Sequence, residues 1–189
     1  VFSGGWDLPL GRNSSNTFVK YALRGWTVFP IFTFRTGFPL DIASGLVAGG
    51  TPGPSGAGDP DQVRPNLVGG AVSTFDPHLK QRLSGATGNF YFDPANFVLP
   101  DSTPGKFTYG TLGRNSFRGP NRINLDLSVS KKIPIFRERI AAELRGEAFN
   151  VLNHTNFSDP QLNMQSGVFG QISTTADPRI LQIALRVVF

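Results

Sequence analysis

The last ten residues constrain the fold most. Side chains of a β-strand alternate sides with period two. In Ile180–Phe189 this puts Leu181, Ile183, Leu185, Val187 and Phe189 on one face, with Ile180, Gln182, Ala184, Arg186 and Val188 on the other. Two more segments carry the same period. In Arg122–Lys131, Ile123, Leu125, Leu127 and Val129 oppose Asn124, Asp126, Ser128 and Ser130. In Arg139–Asn150, Ile140, Ala142, Leu144, Gly146 and Ala148 oppose Ala141, Glu143, Arg145, Glu147 and Phe149. Two weaker strands are expected at Arg24–Thr36, where Pro30 interrupts an aromatic run and predicts a bulge or local defect, and at Phe2–Leu8. Composition agrees with an all-β chain: 22 glycines and 15 prolines make up about a fifth of the 189 residues, and Phe occurs 17 times. With no cysteine, a disulfide framework and a thiolate metal site are excluded.

The connections between these strands alternate in length. Pro9–Leu23 is rich in turn formers, Gly37–Asn121 is very long, Lys132–Glu138 is short, and Val151–Pro178 is long again. That alternation fits an antiparallel barrel of the outer membrane, with tight periplasmic turns and extended external connections. The long segment includes a low-complexity Gly/Pro-rich patch, Ala48–Asp61. No internal repeat is visible. No apolar run reaches the roughly 18 residues of a membrane helix, whereas a membrane strand needs only about 9–11. The chain opens on Val1 with no signal-peptide pattern.

The strands read as membrane-facing because of what the two faces carry. Leu181, Ile183, Leu185, Val187, Phe189, Ile123, Leu125, Leu127, Val129, Ile140 and Leu144 are expected to meet lipid. Asp126, Glu143, Arg145, Glu147 and Arg186 are expected to line a wet lumen. A lipid-exposed sheet cannot leave an open edge in hydrocarbon, and five strands cannot close a barrel. The expectation is therefore the C-terminal part of a larger transmembrane barrel, about five strands with two external connections, 37–121 and 151–178. A soluble β-sandwich binding module, with the long connection as its carbohydrate or ligand site, is the alternative.

Several blocks, in this order, resemble TonB-dependent outer-membrane receptors of the Oar-like branch, whose members carry a carboxypeptidase-regulatory-like domain. They are Trp6-Asp7-Leu8-Pro9-Leu10-Gly11; Gly25-Trp26 followed by Arg35-Thr36-Gly37-Phe38-Pro39-Leu40; and Leu112-Gly113-Arg114-Asn115-Ser116-Phe117-Arg118-Gly119-Pro120 running into Asn124–Lys131. Arg145-Gly146-Glu147-Ala148-Phe149-Asn150-Val151-Leu152-Asn153-His154-Thr155-Asn156-Phe157 and the ending Pro178–Phe189 complete the set. The resemblance implies a barrel of about 22 strands around a plugged lumen in a Gram-negative outer membrane. It implies uptake of a bulky, scarce nutrient (siderophore, cobalamin or oligosaccharide) energised by the TonB complex. The implied partners are membrane lipid and lipopolysaccharide, the rest of the barrel and its plug, and the TonB complex through segments outside this chain. The barrel assembly machinery would be engaged through Phe189. A passive porin-like or adhesive barrel is the further alternative.

Residues that could carry chemistry read more simply as structure. Glu143 and Glu147 could be a general acid and base, but with Arg145 between them they form a charge ladder on a barrel wall, which offers no desolvated cleft. His154 has only His78 as a possible companion ligand, far off in sequence. Arg114, Arg118, Arg122, Lys131, Lys132, Arg137 and Arg139, with a pI near 10.0, are spread over two strand ends rather than clustered as a nucleic-acid footprint. They suit the two rims of a barrel, facing anionic lipid. No phosphate loop follows the glycines. No enzyme activity, cofactor, metal or nucleic-acid partner is expected.

Overall fold

The computed structural model describes residues 1–11, 13, 15–44, 63–83, 85–100, 110–136 and 140–188, with backbone alone at 136, 140 and 188. The Ala48–Asp61 patch, Arg137, Arg139, Phe189 and the side chain of Ile140 lie outside the described residues. Along the chain come β1 (Phe2–Ser3), β2 (Trp6–Asp7), α1 (Thr17–Leu23), β3 (Trp26–Arg35), β4 (Pro39–Leu40), β5 (Asn66–Leu67), β6 (Gln81–Leu83), β7 (Ala86–Gly88), β8 (Phe97–Val98), β9 (Phe117–Arg118), β10 (Arg122–Phe136), β11 (Ile140–Phe149) and β12 (Ile180–Val188). They form two compact units, one of residues 1–35, 122–156 and 176–189, the other of 36–121 and 157–175.

The first unit is a six-stranded antiparallel sheet in which β1 and β2 both pair with β3, followed by β10, β11 and β12. Strands far apart in sequence, β3 and β10, run in continuous register from Arg35 opposite Arg122 to Trp26 opposite Lys131. Pro30 does not break β3. Its carbonyl accepts from the Gly4 N–H (3.4 Å), so its backbone polar side faces β1 and β2 rather than β10. A strand residue directs N–H and C=O to the same side, so the donor missing at Pro30 is missing only on the edge. There the partner strand is interrupted between Ser3 and Trp6, and the expected defect is absorbed. A register shift occurs instead in β10, between Pro134 and Phe136.

The segment before β3, expected to be a turn, contains the helix α1. Asn16 caps it, its side-chain oxygen accepting from the N–H groups of Phe18 and Val19. Seven residues without Gly or Pro then complete two turns. Gly25 ends the connection at φ +79°, where its carbonyl accepts from Lys132 N–H and an added Cβ would press on the Lys132 carbonyl.

The second unit has a core of its own. Phe92 is fully buried, and its ring makes edge contacts with Phe97, Phe117 and Phe169 at centroid distances of 5.2–5.3 Å. Leu40, Ile42, Tyr91, Leu112 and Ile172 close around them. The short pairs β4–β9 and β5–β8 bring Leu40, Phe117, Phe97 and Leu67 to this cluster, and β6–β7 is a third short pair. Residues of both long connections contribute, through bridges such as Phe90 to Gln171 and Ala43 to Asn163. The two connections therefore make one folded body, while 151–156 and 176–178 stay with the sheet.

Candidate functional site: a two-faced sheet

Directly opposed residues of an antiparallel pair share a face, so the register sorts the whole sheet. Leu125 lies opposite Phe32, Leu127 opposite Pro30 and Ala148, and Leu144 opposite Lys131 and Leu185. One face thus gathers Phe2, Trp6, Trp26, Val28, Phe32, Phe34, Ile123, Leu125, Leu127, Val129, Leu144, Leu181, Ile183, Leu185 and Val187. Every described side chain expected on the apolar face is on it. The other face collects Asp126, Glu143, Arg145, Glu147 and Arg186 with Thr27, Thr33, Asn124, Ser128, Ser130 and Gln182. Even β3, whose alternation is blurred in sequence, conforms once Phe29 and Ile31 are placed on the polar side.

The apolar face is bare. Leu181, Ile183 and Leu185 are 70%, 82% and 69% exposed, and Phe2, Trp6, Phe32 and Phe34 are exposed as well. Among the described residues, every buried apolar side chain belongs to the second unit, whereas the buried residues of the sheet are Lys131, Asn150 and Asn156. A second layer covering the aliphatic rows, as a soluble sandwich requires, is absent among the described residues. The long strands span 9 to 15 residues, enough to cross a bilayer core.

On the polar face the carboxylates are bridged. Arg145 lies 3.4 Å from Glu143 and 3.6 Å from Glu147, and Arg186 stands opposite Glu143. Asp126 is set apart from this ladder and caps a strand end, accepting from the Asn150 N–H (2.9 Å) and the Asn124 amide (2.8 Å). A cavity of about 340 Å³ lies over the middle of the face, between Thr27, Phe29, Arg145 and Glu147. A second, of about 520 Å³, lies at the end where β3 stops and β10 begins, lined by Arg35, Arg122, Asn124, Asp126 and Asp177.

That end is held by an asparagine clasp. Asn150 takes φ +50° and donates its side-chain amide to the carbonyls of His154 and Asp177 while accepting from His154 N–H. Asn153 accepts from Arg179 N–H. Asn156 bonds both backbone groups of Ile123. His154 thus sits within a hydrogen-bonded turn. His78, in the other unit, lies against Asp76 (2.8 Å) and edge-on to Phe157. The His78 backbone N–H, with its ring, holds the Asp76 carboxyl below its ordinary range. Among the described residues no cluster of three or more His, Asp or Glu could hold a metal ion.

The sequence blocks meet in space. Trp6 pairs with Val28, Asp7 accepts from the Thr27 hydroxyl (2.6 Å), and the Leu8 N–H donates to the Trp26 carbonyl. In the second unit, Pro39–Leu40 pairs with Phe117–Arg118, and the Arg118 guanidinium donates to the Gly37 carbonyl. An added Cβ on Gly37 would overlap the Gly119 backbone, which explains the glycine in that block. Lys131, expected at a rim facing anionic lipid, is instead buried with its ammonium turned onto the protein. It lies on the apolar face, donates to the Tyr21 and Ala22 carbonyls at the end of α1, and stands 4.9 Å above the Trp26 ring. The sequence signal for α1 was Asn16 followed by seven helix-compatible residues.

An antiparallel sheet of membrane-crossing length, bare and apolar on one face and charged on the other, defines a section of transmembrane β-barrel wall. The chain belongs to the outer membrane beta barrel domain family, whose model matches residues 1–182, and the protein is a component of the outer membrane. No curated protein and no solved structure matches the chain.

Proposed function

We propose that this chain is part of a TonB-dependent transporter that takes up a bulky, scarce nutrient: a siderophore, cobalamin or an oligosaccharide. In this reading Leu181, Ile183, Leu185, Val187, Ile123, Leu125, Leu127, Val129, Leu144, Ile140 and Phe189 contact hydrocarbon. Asp126, Glu143, Arg145, Glu147 and Arg186 line the lumen. The second unit, built from both long connections, stands outside the cell and meets the solute first. Lipopolysaccharide surrounds that rim, the barrel assembly machinery recognises Phe189, and coupling to TonB runs through a plug. The role is transport, with no catalytic step assigned.

The observation that supports this most is the folded core of the second unit. A body with buried Phe92 and its aromatic neighbours presents a preformed surface to a large solute. The sequence blocks that resemble TonB-dependent receptors cover both units.

The test is uptake of labelled ferric siderophore, cyanocobalamin and a maltooligosaccharide by cells carrying the intact protein, with TonB present or deleted. Uptake of one probe that disappears without TonB is the expected result. TonB-independent passage, with steady conductance in planar bilayers, would replace this reading by a passive pore.

A further inference from the structure

Helix α1 does not lie on the wet side of the sheet. Trp26 and Lys131 belong to the apolar face by register, and both reach α1: the Trp26 indole N–H donates to the Ala22 carbonyl (3.1 Å), and the Lys131 ammonium donates to the carbonyls of Tyr21 and Ala22. The Tyr21 hydroxyl donates to the Pro134 carbonyl of β10 (2.8 Å). Four bonds to two strands therefore tie the last turn of the helix to the rim of the apolar face. A buried ammonium is expensive unless its protons are accepted. Here it meets the free carbonyls and the negative dipole end of a helix C-terminus and the π-face of an indole. Lys131 is 9% exposed, so its charge is spent on the protein itself.

What α1 presents outward is amphipathic. Phe18 is 81% exposed and Tyr21, one turn along, is also exposed. Half-exposed Lys20 in the helix and exposed Arg24 just past its end add two basic side chains to this group. Trp6 and Trp26 continue the aromatic group along the same rim. Aromatic rings with basic side chains are the composition that settles at the boundary between headgroups and acyl chains.

Topology gives the leaflet. The chain leaves the sheet for the second unit after Arg35 and after Asn156, at the end marked by Arg122, Phe149 and Ile180. Helix α1 and the tight β10–β11 connection lie at the opposite end. In this family of barrels short turns are periplasmic.

We propose that α1 is an interfacial anchor docked on the periplasmic, phospholipid leaflet. Phe18 and Tyr21 sit at the headgroup boundary, with Lys20 and Arg24 on the lipid phosphates. The inference rests on the reading that the apolar face meets lipid.

The chain has no cysteine, so single-cysteine variants of the intact protein can each carry one environment-sensitive fluorophore. Phe18→Cys probes the helix, Ile183→Cys the wall, and Leu79→Cys the second unit. The proteins are reconstituted in vesicles of phosphatidylethanolamine and phosphatidylglycerol containing lipids brominated near the headgroup or near the chain end. A parallel set carries lipopolysaccharide in the leaflet at the Arg35 and Arg122 end of the sheet, with brominated phospholipid confined to one leaflet at a time. The label at 18 is expected to be quenched by shallow bromines of the leaflet at the Trp26 and Lys131 end of the sheet. It should lose most of that quenching in the Lys20→Glu/Arg24→Glu background. The label at 183 should be quenched by deep bromines, and the label at 79 by neither. A quenched label at 183 with an unquenched label at 18 overturns the anchor and leaves the wall intact. An unquenched label at 183 overturns both. Quenching at 18 only from the lipopolysaccharide-bearing leaflet overturns the periplasmic assignment.

Discussion

The side-chain amide of Asn156 stands in for a strand residue beside Ile123, its oxygen accepting from the Ile123 N–H at 2.8 Å and its nitrogen donating to the Ile123 carbonyl at 2.9 Å. Both backbone groups are satisfied by one buried side chain at the point where β10 begins, so the clasp closes the ladder where no strand follows.

Replacing Asn156 with Ala leaves two partly buried backbone groups without their partner. The expected cost is about 1–3 kcal/mol, measured as a loss of unfolding free energy in detergent or vesicles. Asn156→Asp keeps the acceptor and removes the donor, and should fall between wild type and Ala. An Ala variant as stable as wild type would show that the clasp contributes nothing.

The two faces of β12 make a sharper test. Ile183 and Gln182 are neighbours in sequence and lie on opposite faces, with Gln182 directly across from Glu147. Ile183→Arg places a guanidinium on the apolar face and should cost about 2–4 kcal/mol if that position lies near the bilayer midplane. Gln182→Arg gains a carboxylate neighbour and should be close to neutral. Equal losses in a vesicle unfolding experiment would reverse or abolish the assignment of faces.

Phe92→Ala empties the centre of the second unit. Truncation of a fully buried Phe costs about 3–5 kcal/mol, which for so small a core means local unfolding. Limited proteolysis should then cut within 63–100 and 110–121, while β10, β11 and β12 stay protected. Cleavage spread equally over both units would mean that the sheet depends on that core.

Tyr91 supplies a pH dependence. Burial raises its phenol above the ordinary value of 10.0, helped by Asp159 and opposed by a hydrogen bond from Thr74, while its hydroxyl donates to the Arg118 carbonyl at 2.8 Å. The folded state keeps this proton when the unfolded chain has released it. The contribution to stability is therefore whole below pH 10 and falls as pH rises through the raised folded value. Absorbance titration should show a late tyrosinate fraction that Tyr91→Phe removes.

How much was legible in the sequence follows from what each element depends on. β11 and β12, and β10 as far as Ser130, alternate, so their faces could be read from Ile123, Leu144 or Ile183 alone, but β10 runs on to Phe136 through residues expected in the Lys132–Glu138 connection. β3 was harder, because Phe29 and Ile31 put apolar groups on its polar face and only pairing with Asp126 and Ser128 shows which side is which. α1 was hidden among turn formers; seven residues give almost no periodic signal, and its last turn is stabilised by Lys131, more than a hundred residues away. The second unit was unreadable for a similar reason. Phe92, Phe97, Phe117 and Phe169 come from strands of two or three residues or none, and only the folded chain brings them together. The charge ladder was foreseeable, since Glu143, Arg145 and Glu147 share one strand. The asparagine clasp was visible only as a run of turn residues.

The bare apolar rows of the sheet carry an evolutionary corollary. Side chains such as Ile183 and Leu185 have no neighbour above them among the described residues, so no jigsaw of volumes restricts them, and exchange among Leu, Ile, Val and Phe should be freely accepted. Drift in the wall is then limited by polarity alone, whereas around Phe92 it is limited by shape. Lineages could diverge quickly along the strands and still cross the same bilayer.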